Sequence, residues 1–295
     1  MNNKILSFIF FGLLALLIAR KTILKPTTKS FRASLSNFDS ATIDKLTIQI
    51  GDAPTTTLTK SGEQWQMTDG TRTMDAKPST VTSLITELST LKTKQLVSKS
   101  ADKWADYEVD DKAKKIEVYS GGKRVTALHI GRFNFNQQTR AGISYARLSD
   151  EDEIYSLDGF LAMSAAKDFD SFRETKLVTT AQEQIQSINL TTESGQQLEL
   201  GKSIDGSWII NDTVIDSTAA SRYISGLTNL NGSVFEDGFS PSGVPATITA
   251  GALQIQAYST GSDFVIKSNQ NPAYFRSDSS GIYKRMITDL LSLTQ

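Results

Sequence analysis

One pattern of strands, tryptophan and helix is written twice in this chain, and that constrains the fold more than any single residue. Ile43-Asp-Lys-Leu-Thr-Ile-Gln-Ile returns as Ile185-Gln-Ser-Ile-Asn-Leu, and Trp65 returns as Trp208. The helical stripe Val81, Leu84, Ile85, Leu88, Leu91 returns as Ala220, Tyr223, Ile224, Leu227, Leu230. Tyr145-Ala-Arg is matched with Tyr274-Phe-Arg, so the order is kept from end to end while the loops shorten in the second copy. A duplicated domain follows, and 295 residues suffice for a short N-terminal segment plus two domains that each bury a core.

In the first copy, alternation of Ile43, Leu46, Ile48 and Ile50 predicts a strand, and Gly51-Asp-Ala-Pro turns it toward Thr55–Lys60. Ser61-Gly62 turns the chain again toward Gln64–Met67, giving an antiparallel meander. Pro78 suits a first helical turn, and the apolar spacing through Leu91 predicts a helix with one face on the sheet. Gly121-Gly122 between Lys115–Ser120 and Lys123–Ile130 predicts a tight hairpin, because both glycines accept positive φ. The second copy is expected to repeat that hairpin with Leu253–Tyr258 and Phe264–Lys267. A further strand pair, Ile143–Leu148 and Glu153–Leu157, is matched with Ala273–Ser277 and Gly281–Arg285. Closing helices are expected over Gly159–Ala166 and Met286–Leu293. The predicted class is α+β, two tandem repeats of a mainly antiparallel sheet with packed helices, preceded by one N-terminal transmembrane helix.

The resulting division is an anchor over residues 1–24, a tether over 25–42, a first repeat over 43–167, a joint over 168–184 and a second repeat over 185–295. Ile5 to Ala19 carries no charge and is flanked by Lys4 and by Arg20-Lys21. With snorkelling at Arg20 and Lys21 it extends to Leu24 and reads as an uncleaved, single-pass anchor in the cytoplasmic membrane. The basic flank alone would retain the body in the cytoplasm, but a short tail before an apolar core is the form of an export signal. An extracytoplasmic body is expected. The joint, rich in Phe and Asp, is too short and aromatic for a loose linker.

With 31 basic and 32 acidic residues the chain lacks the positive field that nucleic acid requires. The absence of cysteine excludes thiolate catalysis and cysteine-ligated metals, and one histidine excludes His-rich sites. That residue, His129, is expected to be partly exposed on a strand. Gly201-Lys202-Ser203 lacks the upstream glycine and following helix of a phosphate loop. Asp150-Glu-Asp-Glu153 lacks the alternate spacing of a calcium loop. No catalytic, cofactor-binding or metal-binding residue is therefore assigned, and no cofactor is implied. Asp168, Asp170 and Glu174 would be the paired carboxylates of an alternative reading, an envelope hydrolase acting on glycan or peptide. Trp104 and Tyr107, in a loop whose tryptophan has no counterpart in copy two, are the candidate partner-binding residues. They would equally serve a cell-wall glycan-binding module. Sheet edges leave self-association open.

The strand before Lys60-Ser-Gly-Glu-Gln-Trp65, the stretch from Asp75-Ala-Lys-Pro78 to Leu88, and Leu128-His-Ile-Gly131 carry a further signal. Tyr145-Ala-Arg before Ile154-Tyr155, and Phe172-Arg173 at the joint, belong to it as well. On these residues the chain resembles the bacterial family called domain of unknown function forty-three forty, over nearly everything after residue 42. It departs from that pattern at Tyr107-Glu-Val109, where a Tyr-Gly-Leu followed by proline is usual. The resemblance implies a membrane-anchored accessory protein of ABC transport systems of the gliding-motility type. It supplies no catalytic residues and implies a binding or scaffolding role.

Overall fold

The computed structural model describes residues 32–294, which form two compact units divided between Arg173 and Glu174. The expected anchor, and the tether up to residue 31, lie outside the described residues. Among those described, no helix is long and apolar enough to cross a membrane.

The first unit runs β1 (Lys45–Ile50), β2 (Thr56–Ser61), β3 (Gln64–Thr68), β4 (Thr73–Ala76), the helix Pro78–Ser89 and β5 (Gln95–Ser98). It continues with β6 (Lys114–Ser120), β7 (Lys123–Asn136), β8 (Ala141–Leu148) and β9 (Ile154–Asp158). The second runs β10 (Ser187–Thr191), β11 (Gln197–Lys202), β12 (Trp208–Ile210), β13 (Thr213–Val214), the helix Ser217–Thr228 and β14 (Val234–Phe235). After these come β15 (Ala246–Ala250), β16 (Leu253–Ser259), β17 (Phe264–Ser268) and β18 (Asn271–Ser277). The sheet orders are β4-β3-β2-β1-β6-β7-β8-β9-β5 and β13-β12-β11-β10-β15-β16-β17-β18-β14, the same topology built twice in nine strands each. Strand neighbours pair antiparallel throughout both sheets. The class is α+β in tandem.

Period-two alternation selects the buried face of each sheet. Leu46 and Ile48 of β1, Leu58, Trp65, Met67, Ile116, Val118, Leu128 and Ile130 face the first core, where Val81, Leu84, Ile85 and Leu88 of the helix cover them. Pro78 starts that helix in place of a side-chain cap, whereas Asp216 caps the second helix through Thr218 N (3.1 Å) and Ala219 N (3.2 Å). Trp65 and Trp208 both lie in their cores. Gly121 and Gly122 take φ of 57° and 74° in the two-residue turn between β6 and β7. The aromatic joint divides between the units: Phe169 and Phe172 enter the first core, Leu177 and Val178 the second. Residues 33–42, read as tether, are folded structure, since Leu35 N donates to Leu91 O (2.8 Å) and the Leu35 side chain is buried.

The second copy departs from the expected alignment. The Gly121-Gly122 hairpin corresponds to β15/β16, because β15 pairs with β10 as β6 pairs with β1. The hairpin of Leu253 and Phe264 corresponds instead to β7/β8. Tyr145-Ala-Arg lies in β8 whereas Tyr274-Phe-Arg lies in β18, the counterpart of β9. Phe275, opposite Phe235, is the equivalent of Tyr155, opposite Leu96. Gly281–Arg285 is no strand: residues from Ile282 onward are helical, and Tyr223 Oη donates to the buried Met286 carbonyl (2.8 Å). The expected helix over Gly159–Ala166 shrinks to Leu161–Ser164.

Phe275 is fully buried, and a Cβ on Gly232 would fall 1.9 Å from its ring, while Gly232 N is held by Thr175 O at 2.8 Å. Gly232→Ala should lower unfolding free energy by about 1–3 kcal/mol through overpacking. Denaturant titration measures this loss, and adding Phe275→Leu should recover part of it. A double variant no better than the single one would remove the clash as the cause.

Candidate functional site

The β5–β6 connection, residues 99–113, folds over the sheet face opposite the helix. Two 3-10 turns, Ala101–Lys103 and Ala105–Tyr107, are followed by Glu108 at φ 57°, which redirects the chain so that Val109 is buried. In β7, Leu128 and Ile130 point to the core, so Ala127, His129 and Gly131 point to the other face, yet all five are buried. The connection provides that second cover. It lies so close that a Cβ on Gly131 would stand 2.1 Å from Tyr107 O and 2.9 Å from Glu108 O. Glycine is required there by backbone approach rather than by φ.

Arg147 of β8, opposite His129 in the ladder, is the centre of this layer and only 2% exposed. Its Nε donates to Val109 O (2.7 Å), and Nη1 donates to Leu148 O (3.3 Å) and Ser149 O (3.4 Å). The guanidinium lies 3.7 Å from the centroid of Trp104, whose Nε1 donates to Asp152 O (3.1 Å). The Asp111 carboxylate is 3.9 Å away and largely exposed. Backbone carbonyls and an aromatic face thus hold the cation, and the cation holds the connection down. His129 Nδ1 sits 3.0 Å from Asp110 O, and a carbonyl only accepts, so Nδ1 carries the hydrogen in the neutral ring. Desolvation lowers the pKa of His129, and the charges of Arg147 and Lys115 act in the same direction. His129 is therefore buried and neutral, not partly exposed as expected.

Trp104 and Tyr107 come together in this connection, each half-buried and held by contacts within the unit. Arg147 covers a face of Trp104, and the Tyr107 ring lies 4.9 Å from that of Tyr145 with Arg132 over both. Arg147, which organises this layer, was not singled out in the sequence: alternation puts it on the face opposite Ala146 and Leu148, but its pairing with His129 appears only in the ladder register. The second unit covers its face with other chemistry. Phe239, in the connection between β14 and β15, packs against Tyr258 (5.5 Å) and Tyr274 (5.3 Å). Gln256 and Lys267 stand in register where the first unit has His129 and Arg147, and Lys267 Nζ lies 4.2 Å over Tyr274.

The carboxylates singled out in the sequence have local structural partners. Asp150 pairs with Arg124 (3.0 Å) and Glu151 pairs with Arg32. Asp168 accepts from Ser171 N (2.9 Å) and Ser171 Oγ (2.6 Å), and Asp170 pairs with Arg173 (3.1 Å). Glu174 accepts from Lys176 N (2.9 Å). Among the described residues, no group of three or more His, Asp or Glu is placed to hold a metal ion. Gly201-Lys202 ends strand β11, with Lys202 over Trp208, and a turn rather than a helix follows. A cavity of about 320 Å³ in the first unit has an apolar wall of Ile48, Ile50, Pro54 and Phe169 and a rim that includes Asp69 and Arg72. Hydrogen bonds from Arg72 and Thr71 hold the Asp69 carboxyl well below the usual range.

A family model described as domain of unknown function, DUF4340, matches residues 65–247, from the Trp65 strand to the start of β15 in the second unit. No curated protein and no solved structure matches the chain.

Two outcomes test this layer. Trp104→Ala removes the aromatic face over Arg147 and the bond to Asp152, and should lower unfolding free energy by about 1–3 kcal/mol. Amide exchange should rise over residues 101–113, whereas an unchanged profile would mean that Trp104 does not hold the layer. The His129 pKa is depressed on folding, so its stabilising contribution is complete above the ordinary value of 6.5, declines as pH falls below it and levels off past the folded value. His129→Gln should remove that acid-side loss, read as the difference between the two proteins' pH–stability curves from pH 7 downward. Parallel curves would show that His129 is not the titrating group.

Proposed function

Because this chain belongs to the DUF4340 family, a domain of unknown function, we propose that it is a non-catalytic, membrane-anchored envelope scaffold that partners an ABC transport system of the gliding-motility type. The observation that carries this reading is the contrast between the repeats: one sheet topology is kept twice, while the connection covering each outer face is rebuilt. Trp104, Arg147 and His129 do this in one unit, and Phe239, Tyr258 and Tyr274 in the other. A shared frame with divergent surface loops suits presentation of two different faces to partners, since loops on a rigid scaffold carry recognition. The local capping and pairing of Asp168, Asp170 and Glu174 favours this over a hydrolase. In this reading the run Ile5–Ala19 anchors the chain in the cytoplasmic membrane and the body lies outside the cytoplasm.

Affinity purification of the full chain from native membranes should recover membrane or substrate-binding-like subunits of such a transporter. Recovery of none of them, under conditions that keep the transporter itself intact, overturns the reading.

A further inference from the structure

The hairpin of β7 and β8 and the short helix after β9 expose an aromatic patch, anchored by Phe133, which packs against the core edge. Phe135 is 50% exposed, Phe160 49% and Met163 58%, and the Phe160 ring lies 5.3 Å from Phe133 and 6.5 Å from Phe135. The patch is built rather than incidental. Gly142 leaves room for the Phe133 ring, since a Cβ there would stand 2.8 Å from it, and Gly142 O accepts from Gly159 N (2.9 Å) immediately before Phe160. Arg140, at the turn of the hairpin that carries Phe135, brings one positive charge near it, while Lys94 is neutralised by its pairing with Asp158 (2.6 Å).

The chain's own geometry says what lies within reach of this patch. Ala33 O accepts from Thr93 N (3.1 Å), Lys94 N donates to Ser156 O (2.8 Å), and Asp158-Gly159 lead directly to Phe160. The N-terminal chain therefore joins the body two strand spacings and a few residues from the patch, roughly 15–20 Å. Residues 20–31, which connect the apolar run to that point, span at most about 40 Å even when fully extended. A body tethered so closely meets its own bilayer at a high effective concentration, so a small apolar patch suffices for contact. Exposed phenylalanine and methionine beside one arginine have the chemistry of a membrane's headgroup boundary.

We infer that Phe133, Phe135, Phe160 and Met163 form a second, peripheral membrane contact that docks the first unit on the bilayer holding the anchor. This rests on the anchor reading above. The absence of cysteine allows both to be tested separately in the full chain. Single cysteines at Leu14, Met163 and Glu63, the last in the exposed β2–β3 turn, would carry an environment-sensitive fluorophore. Each protein is reconstituted into phosphatidylethanolamine/phosphatidylglycerol vesicles with and without a lipid-borne quencher. The expected result is quenching at positions 14 and 163 but not at 63, with quenching at 163 lost to the level of position 63 in Phe135→Asp/Phe160→Asp. Quenching at 14 with none at 163 overturns the dock and leaves the anchor standing. No quenching at 14 overturns the anchor, and the dock with it. Label-to-label self-quenching at 163 without lipid quenching would give the patch to a second copy and overturn the dock.

Discussion

The two units depend on a single inequality: each sheet has two faces, and the helical segments packed into its core cover one of them. A central strand such as β7 is buried along its middle, so its outward residues leave water as completely as its inward ones. Hydrophobic burial under the helix accounts for Leu128 and Ile130, but Ala127, His129 and Gly131 need a second layer from a segment with no regular structure of its own. The connection after the fifth strand supplies it in each unit, and its composition decides what that face becomes.

In the first unit that layer is organised around a buried cation. Removing a guanidinium from water costs several kcal/mol unless its donors are satisfied. The carbonyls of Val109, Leu148 and Ser149 do so at 2.7 to 3.4 Å, and Trp104 adds an attractive face. The distant, solvated Asp111 contributes little by comparison. The second unit meets the same geometric need with a lysine, whose ammonium reaches the Pro272 carbonyl at 3.0 Å and lies 4.2 Å over the Tyr274 ring. Replacement of arginine by lysine changes a fixed fork into a point charge, and the covering loop changes with it to an aromatic stack.

Legibility in the sequence followed the kind of force involved. The duplication, both amphipathic helices and the Gly121-Gly122 turn were readable because each is a local pattern with a period or a required backbone conformation. Strand β15 was not, since Ala246-Thr-Ile-Thr-Ala250 buries small residues and carries one strong apolar signal, Ile248. Its omission displaced every later match in the second copy by one strand, and so Tyr274-Phe-Arg was aligned with β8 rather than β9. Gly281–Arg285 resembled a strand through Ile282-Tyr283, but both side chains face the core from a helix. The site was half legible: Trp104, Tyr107 and His129 were singled out, but their burial depends on contacts across dozens of residues that no local period encodes. The aromatic patch was overlooked for the opposite reason, because alternation in β7 continues past the end of the core.

The strand order also bears on how the chain acquires this structure. β1 lies in the middle of its sheet and finds its second neighbour only in β6, after the helix and the whole covering connection; β10 likewise waits for β15. The N-terminal half of each unit is a four-stranded meander whose β1 or β10 edge stays unpaired until the C-terminal half exists, and the fifth strand closes on the ninth last of all. Contacts so distant in sequence make folding slow and leave an open edge during synthesis. A chain that emerges from its N-terminus therefore carries a sticky half-sheet twice in succession, and the first unit can complete itself before the second has begun.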